Sequence, residues 1–158
     1  MKTSVDLFGD AVDLSIQVLK YGNGRIAIQA IDLIDNSPFG MITINIPEIE
    51  LEQDEIIVKT YSENTHWVPQ VLENLKQHFE DTGKTVSGGR DTMPIYKFTS
   101  EETLAAIKQR LEEIRAELNA ENISYDSLLE LQGLAKYIDA GDMQLQEAAG
   151  IPEDEARK

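Results

Sequence analysis

A change of hydrophobic period at Thr99 constrains this chain more than any other feature. Before it, apolar residues recur mainly at every second position, the repeat of a half-buried strand. After it they recur at three- and four-residue intervals, the repeat of an amphipathic helix. Val5 and Leu7, then Val12, Leu14, Ile16 and Val18, alternate with Asp13, Ser15, Gln17 and Leu19. Tyr21-Gly22-Asn23-Gly24 reads as a hairpin turn, because Asn-Gly readily takes the positive φ such turns require, and residues 25–33 form the return strand. Asn36-Ser37-Pro38 marks the next turn, and Met41 to Ile46 and Glu55 to Tyr61 give further strands. The expectation is an antiparallel meander of four or five strands.

Between the strands and Thr99 the spacing is mixed. Trp67, Val71, Leu72, Leu75 and Phe79 share one helical face, which predicts a covering helix from His66 to about Phe79, capped by Thr65 and stopped at Asp81-Thr82-Gly83. Trp67 is expected in the core. Short strands around Lys84–Val86 and Ile95–Phe98 should flank a flexible turn at Ser87-Gly88-Gly89-Arg90-Asp91, with Pro94 indicating an edge position.

At Thr99-Ser100-Glu101-Glu102 a capping box, Thr at the cap and Glu three residues on, opens a helix carrying Leu104, Ile107, Leu111, Ile114 and Leu118. Residues 119–123 break it. Ser124 caps a second helix bearing Leu128, Leu131, Leu134, Ala135 and Ile138, ended by Gly141, and a final turn runs from Asp142 to Ala149. The expected class is α+β: an antiparallel β-sheet meander with one covering helix over residues 1–98, a C-terminal antiparallel helical hairpin over 99–150, and a charged tail over 151–158.

Charge narrows the functions open to such a fold. The 158 residues carry 29 Asp and Glu against 14 Lys and Arg, a net charge of −15. That excess repels phosphate backbones and anionic membrane surfaces, so neither nucleic acid nor membrane is expected as a direct partner. Without cysteine there is no disulfide framework, thiolate nucleophile or cysteine-ligated metal site. The amino terminus lacks a signal-peptide h-region and no stretch is long and apolar enough to span a bilayer, which makes a cytoplasmic location the expectation. Residues 100–158 hold 14 acidic and 6 basic side chains, net −8, against 15 and 8, net −7, in residues 1–99, so the C-terminal part is nearly twice as negative per residue.

Two acidic clusters stand out as candidate partner-binding residues. In an extended segment Glu48, Glu50, Glu52 and Asp54 would line one face about 6.8 Å apart, a row that could imitate phosphates. The alternative is a solvated loop. On the first C-terminal helix Glu112, Glu113 and Glu117 outnumber the nearby basic residues, although Lys108–Glu112 and Glu112–Arg115 are spaced to pair in part. A solvated helix face is again the plain alternative.

Other constellations point to no catalysis. Thr82-Gly83-Lys84-Thr85 ends like a phosphate-binding loop, but His78 stands where the upstream glycine is required and a helix is expected before it instead of a strand. Ser87-Gly88-Gly89-Arg90 offers amides and a cation to a small anion, or simply a hairpin turn. His66 and His78, at opposite ends of the predicted helix, would lie about 18 Å apart and cannot share a metal. Neither has a partner spaced for a catalytic dyad, so a non-enzymatic protein without cofactor or metal is expected.

Val5-Asp6-Leu7-Phe8-Gly9, Asn23-Gly24-Arg25-Ile26-Ala27-Ile28, Thr82-Gly83-Lys84-Thr85-Val86-Ser87-Gly88-Gly89 and Pro94-Ile95-Tyr96-Lys97-Phe98 carry a resemblance across about residues 3–98. The chain resembles a family of small acidic proteins of conjugative elements and plasmids of gut Firmicutes. The segment from Ile123 to Asp139, with Leu145 to Pro152, is similar to a helical appendix shared by accessory proteins of such elements, antirestriction-like ones included. No functional residue is carried over. The resemblance implies a mobile-element context, in which small acidic proteins disable host nucleases as DNA mimics or as anti-CRISPR inhibitors. The implied partner is a basic effector nuclease of a host defence system. The alternative is an accessory interaction module that docks its helical hairpin on a conjugation or replication protein through Leu104, Ile107 and Leu111.

Overall fold

The structure, a computed structural model, describes residues 1–150; the predicted charged tail lies outside the described residues. It is an α+β protein with antiparallel sheets and two compact units, Met1–Ser100 and a second beginning at Glu101.

In the first unit β1 (Lys2–Leu7), β2 (Asp10–Lys20), β3 (Ile26–Asp32) and β4 (Pro38–Met41) form one sheet in sequential order. The β2–β3 turn follows from its sequence. Tyr21 N–H donates to Arg25 O at 2.8 Å and Gly24 N–H to Tyr21 O at 2.9 Å, with Gly24 at φ 83°, the left-handed position a three-residue hairpin loop reserves for glycine. The remaining strands, β5 (Thr43–Ile44), β6 (Glu55–Val58), β7 (Phe79–Gly88) and β8 (Asp91–Phe98), form a second sheet in the order β5-β6-β8-β7. The expected single meander is therefore two four-stranded sheets. The chain changes sheet at Ile42, whose N–H donates to Ile28 O at 2.9 Å while its carbonyl accepts from Lys59 N–H at 2.7 Å.

The alternation in β1–β3 turns Val5, Leu14, Ile16, Ile28 and Ala30 toward a core shared with Ile56, Val58, Phe79 and Phe98 of the second sheet and with Trp67, Val68 and Val71. Strand β6 is buried on both faces: Ile57 points the other way, into a smaller cluster with Met93 and Ile95. This explains the unbroken apolar run Ile56-Ile57-Val58.

The predicted covering helix is shorter than its spacing implies. A 3-10 turn (Ser62–His66) precedes α1 (Val68–Asn74), and Phe79 opens β7. Thr65 does not cap the helix; its hydroxyl donates to Ser62 O inside the 3-10 turn at 2.8 Å, and Trp67 is the residue before the first helical turn. Phe79 fits either period, and its pairing with Phe98 across β7–β8 outweighs one more turn of helix. Asp81-Thr82-Gly83 consequently ends no helix but forms a bulge within β7, with Gly83 at φ 75°. Strand β8 is interior, which corrects the edge expected from Pro94. The proline is tolerated because it faces Thr85 beyond the bulge and the β6 pairing stops one residue short, at Ile57 opposite Ile95. His66 and His78 do not bound a common helix: His66 closes the 3-10 turn and His78 lies past the end of α1.

The second unit holds α2 (Glu101–Asn119), α3 (Tyr125–Gly133) and α4 (Met143–Ala148), with a 3-10 turn (Ala135–Tyr137) between the last two. Among the described residues, α2 and α3 fall where two helices are expected, and the final turn expected from Asp142 to Ala149 is the helix α4. Helix α2 begins at Glu101, within the expected Thr99-Ser100-Glu101-Glu102 segment. The Ser124 side chain does cap α3, accepting from Ser127 N–H at 3.0 Å. The long second helix predicted to Ile138 breaks after Gly133. Leu145 of α4 then completes a cluster with Leu111, Ile114 and Leu131, and Leu118, Leu134 and Ile138 pack around it.

Candidate partner-binding surface

The segment between β5 and β6 is two turns, so Glu48, Glu50, Glu52 and Asp54 do not form the extended row that alternation suggests. Ile49 N–H donates to Ile46 O at 3.1 Å across Pro47-Glu48, and Glu55 N–H to Glu52 O at 3.1 Å across Gln53-Asp54. Alternation here has another cause. Ile46, Ile49 and Leu51 pack down on Ile57, Met93 and Ile95, while the four intervening carboxylates face solvent. The segment is a strap over the back of the second sheet, apolar beneath and acidic above.

Residues distant in sequence hold the strap in place. Arg25, just before β3, donates through Nη1 to Ile46 O at 2.8 Å and through Nη2 to Ile49 O. Asn23 Nδ2 donates to Asn45 Oδ1 at 3.2 Å, and Phe98 N–H donates to Asp54 O at 2.8 Å. At its exit Glu55, only 3% exposed, accepts from the Lys84 ammonium and, at 3.1 Å, from Glu52 N–H. The Lys84 hydrogen bond holds the Glu55 carboxyl below its ordinary value, against the opposing effect of burial. Lys84 in turn is held above its ordinary value, chiefly by the same bond. Lys97 Nζ approaches Glu52 at 3.6 Å.

Among the described residues Glu48, Glu50 and Asp54 make no ion pair, whereas Glu52 shares its charge with Lys97. The second candidate cluster is arranged differently. Arg110 Nη1 reaches Glu113 at 3.1 Å and Glu117 at 3.5 Å, and its Nη2 reaches Glu130 of α3 at 2.8 Å. Arg115 pairs with Glu112 at 3.3 Å and closes on Asp142. Glu112, Glu113 and Glu117 are therefore matched by arginines of their own unit, and Glu130 is held below its ordinary value by Arg110. The spaced partner Lys108 takes no part in an ion pair among the described residues.

Arg25, Glu55, Lys84 and Lys97 escape a reading by local spacing. The only trace of them is Gly83-Lys84-Thr85, which resembles the end of a phosphate loop but sits in a strand bulge. There Thr82 Oγ1 donates to Ile95 O at 2.6 Å and accepts from Lys84 N–H at 3.1 Å. Gly88 pairs with Asp91, so the expected turn is the two-residue hairpin loop Gly89-Arg90, with Gly89 at φ 68°. His66 lies against the Phe8 ring with centroids 4.9 Å apart, and His78 Nδ1 bonds Thr99 O at 2.7 Å.

Among the described residues, no group of three or more His, Asp or Glu is placed to hold a metal ion, and no helix is long and apolar enough to cross a membrane. Comparison of the chain with protein-family models, with curated proteins and with solved structures finds no match.

Proposed function

We propose that this protein is a non-enzymatic, mobile-element-encoded inhibitor that occludes the basic groove of a host nucleic-acid-targeting nuclease, a CRISPR effector in the most specific form. The observation that carries the reading is the strap, where Glu48, Glu50 and Asp54 present unpaired carboxylates on a backbone pinned by Arg25. A pinned backbone leaves only side-chain freedom to be lost when lysines and arginines close on those carboxylates, which lowers the ordering entropy of binding. The net charge of −15 adds long-range steering toward a basic cleft.

Duplex DNA carries one charge per roughly 1.7 Å of axis, far denser than this strap, so occlusion aided by steering fits better than a full phosphate replica. In this reading α2 and α3 form an antiparallel pair whose carboxylates Glu112, Glu113 and Glu117 add field more than contacts, because arginines already claim them. Resemblance of residues 3–98 to acidic proteins of conjugative elements favours the same context, a cytoplasmic one. The competing accessory-module reading needs an accessible apolar stripe on α2, yet of Leu104, Ile107 and Leu111 the first and last are buried and Ile107 is half-buried.

The test is inhibition of effector-nuclease cleavage by the wild-type protein and by two charge-reversed variants, with a pull-down from nuclease-treated host lysate to identify the effector. Reversal of Glu48, Glu50 and Asp54 to Lys is expected to abolish inhibition, and wild-type binding to weaken steeply with salt. Reversal of Glu112, Glu113 and Glu117 should have the smaller effect. Inhibition that survives both reversals with unchanged salt dependence rules the reading out.

A further inference from the structure

Four strands end the two sheets, and three of them are poor templates for another chain. Strand β4 spans four residues and begins with Pro38, which has no N–H; β5 spans two; β7 is interrupted by its bulge at residues 81–85. Strand β1 differs, with six residues in continuous register with β2 from Lys2 opposite Ser15 to Leu7 opposite Asp10. Alternate residues of such an edge aim their backbone groups away from the sheet.

Two carboxamides of α1 meet those groups. Gln70 Oε1 accepts from Asp6 N–H at 2.8 Å, and Gln70 Nε2 donates to Asp6 O at 2.8 Å. One side chain thus reproduces the paired bonds a neighbouring strand would make at that residue. The second hydrogen of Nε2 goes to His66 O at 2.7 Å, which ties the carboxamide to the 3-10 turn that precedes its helix. One turn on, Asn74 Nδ2 donates to Ser4 O at 2.9 Å and to Thr3 Oγ1 at 3.1 Å. The i, i+4 spacing of Gln70 and Asn74 places both on one helix face, matching the two-residue step from Asp6 to Ser4.

We propose that α1 is an edge guard: Gln70 and Asn74 stand in for a fifth strand and keep β1 from pairing, antiparallel and about a two-fold axis, with β1 of a second copy of this chain. Identical edges meeting about such an axis close into a dimer, and an axis at Ser4 sets Lys2 of each copy opposite Asp6 of the other, an opposite-charge cross-strand pair at both ends that makes the second copy the occupant.

The test compares the wild-type chain with Gln70→Ala/Asn74→Ala by sedimentation velocity over a wide concentration range and by amide exchange. The double variant should shift toward twice the wild-type mass as concentration rises. At dilutions where it has not associated, its Asp6 amide should exchange about tenfold faster, the worth of one lost hydrogen bond. Adding Ser4→Pro, which removes an outward donor and no β1–β2 backbone bond, although the Ser4 hydroxyl's bond to Asp13 goes with it, should restore the wild-type mass. A double variant that keeps the wild-type mass throughout overturns the proposal, as does association that survives Ser4→Pro. Should the double variant fail to fold, the conservative Gln70→Glu/Asn74→Asp, which takes the Nε2 and Nδ2 donors from Asp6 O and Ser4 O, carries the same comparison with the same two outcomes.

Discussion

Glu55 and Lys84, 29 residues apart in sequence, form an ion pair at the exit of the acidic strap, with the carboxylate nearly sealed from solvent and the ammonium half exposed. Because the folded state holds the Glu55 carboxyl below its ordinary value of 4.5, the pair contributes stability above that pH. The contribution is lost as pH falls through the folded value. Lys84 lies above its ordinary 10.5, so its contribution is complete below 10.5 and is lost only as pH rises through the raised value. Lys84→Met removes the largest cause of the lowering and leaves burial to push Glu55 up. The acid-unfolding midpoint, followed by circular dichroism, should move to higher pH; an unmoved midpoint would mean that the ion pair adds nothing to folding.

Phe8 and Gly9 close the β1–β2 hairpin at φ 57° and 97°, the positive pair of a tight two-residue turn in which asparagine is preferred first. Phe8 is 85% exposed, so its contact with His66 shields little of it. Phe8→Asn should therefore raise the urea midpoint by about 1 kcal/mol of stability with an unchanged slope. A lowered midpoint would show that the Phe8–His66 contact outweighs the backbone strain.

Gly40 lies against the ring of the only tryptophan, at its Cζ2 edge. A Cβ added there would come within 2.8 Å of Trp67 Cζ2, and the ring is buried with Phe39 edge-on at 5.1 Å. Gly40→Ala should cost about 1–3 kcal/mol, measured by denaturation followed through Trp67 emission. An unchanged midpoint would show that the ring can shift aside freely.

Ile114, fully buried, sits in the cluster of α2, α3 and α4, built from residues of the second unit alone. Ile114→Ala should cost that unit about 2–5 kcal/mol. Amide exchange is expected to accelerate throughout α2, α3 and α4 while β2 and β3 keep their protection; equal acceleration everywhere would mean that the two units unfold as one.

Much of the fold is legible in the sequence where a few neighbouring residues decide it. The β2–β3 hairpin is set by Gly24, the start of α3 by Ser124, and the passage from strands to helices by a change of period within a few residues of Glu101. Reading fails where one local pattern suits two structures. Trp67 to Phe79 scans as a single helix face, yet Phe79 belongs to a strand because Phe98 lies opposite it. Alternation across Glu48 to Asp54 looks like an extended row but records a strap with an apolar underside. Of the seven carboxylates chosen from sequence, Glu48, Glu50 and Asp54 make no ion pair among the described residues, Glu52 is shared with Lys97, and Glu112, Glu113 and Glu117 are matched by arginines.

The sequence by itself determined the α+β class, the turn between β2 and β3 and the sign and size of the charge, since propensity, periodicity and composition act over a few residues or over the whole chain. Only the tertiary structure decided which charges remain available to a partner and which backbone edge is covered. Arg25 reaches Ile49 across 24 residues, Lys84 reaches Glu55 across 29, and Gln70 reaches Asp6 across 64. Those meetings depend on strand register and sheet packing, which no local spacing encodes.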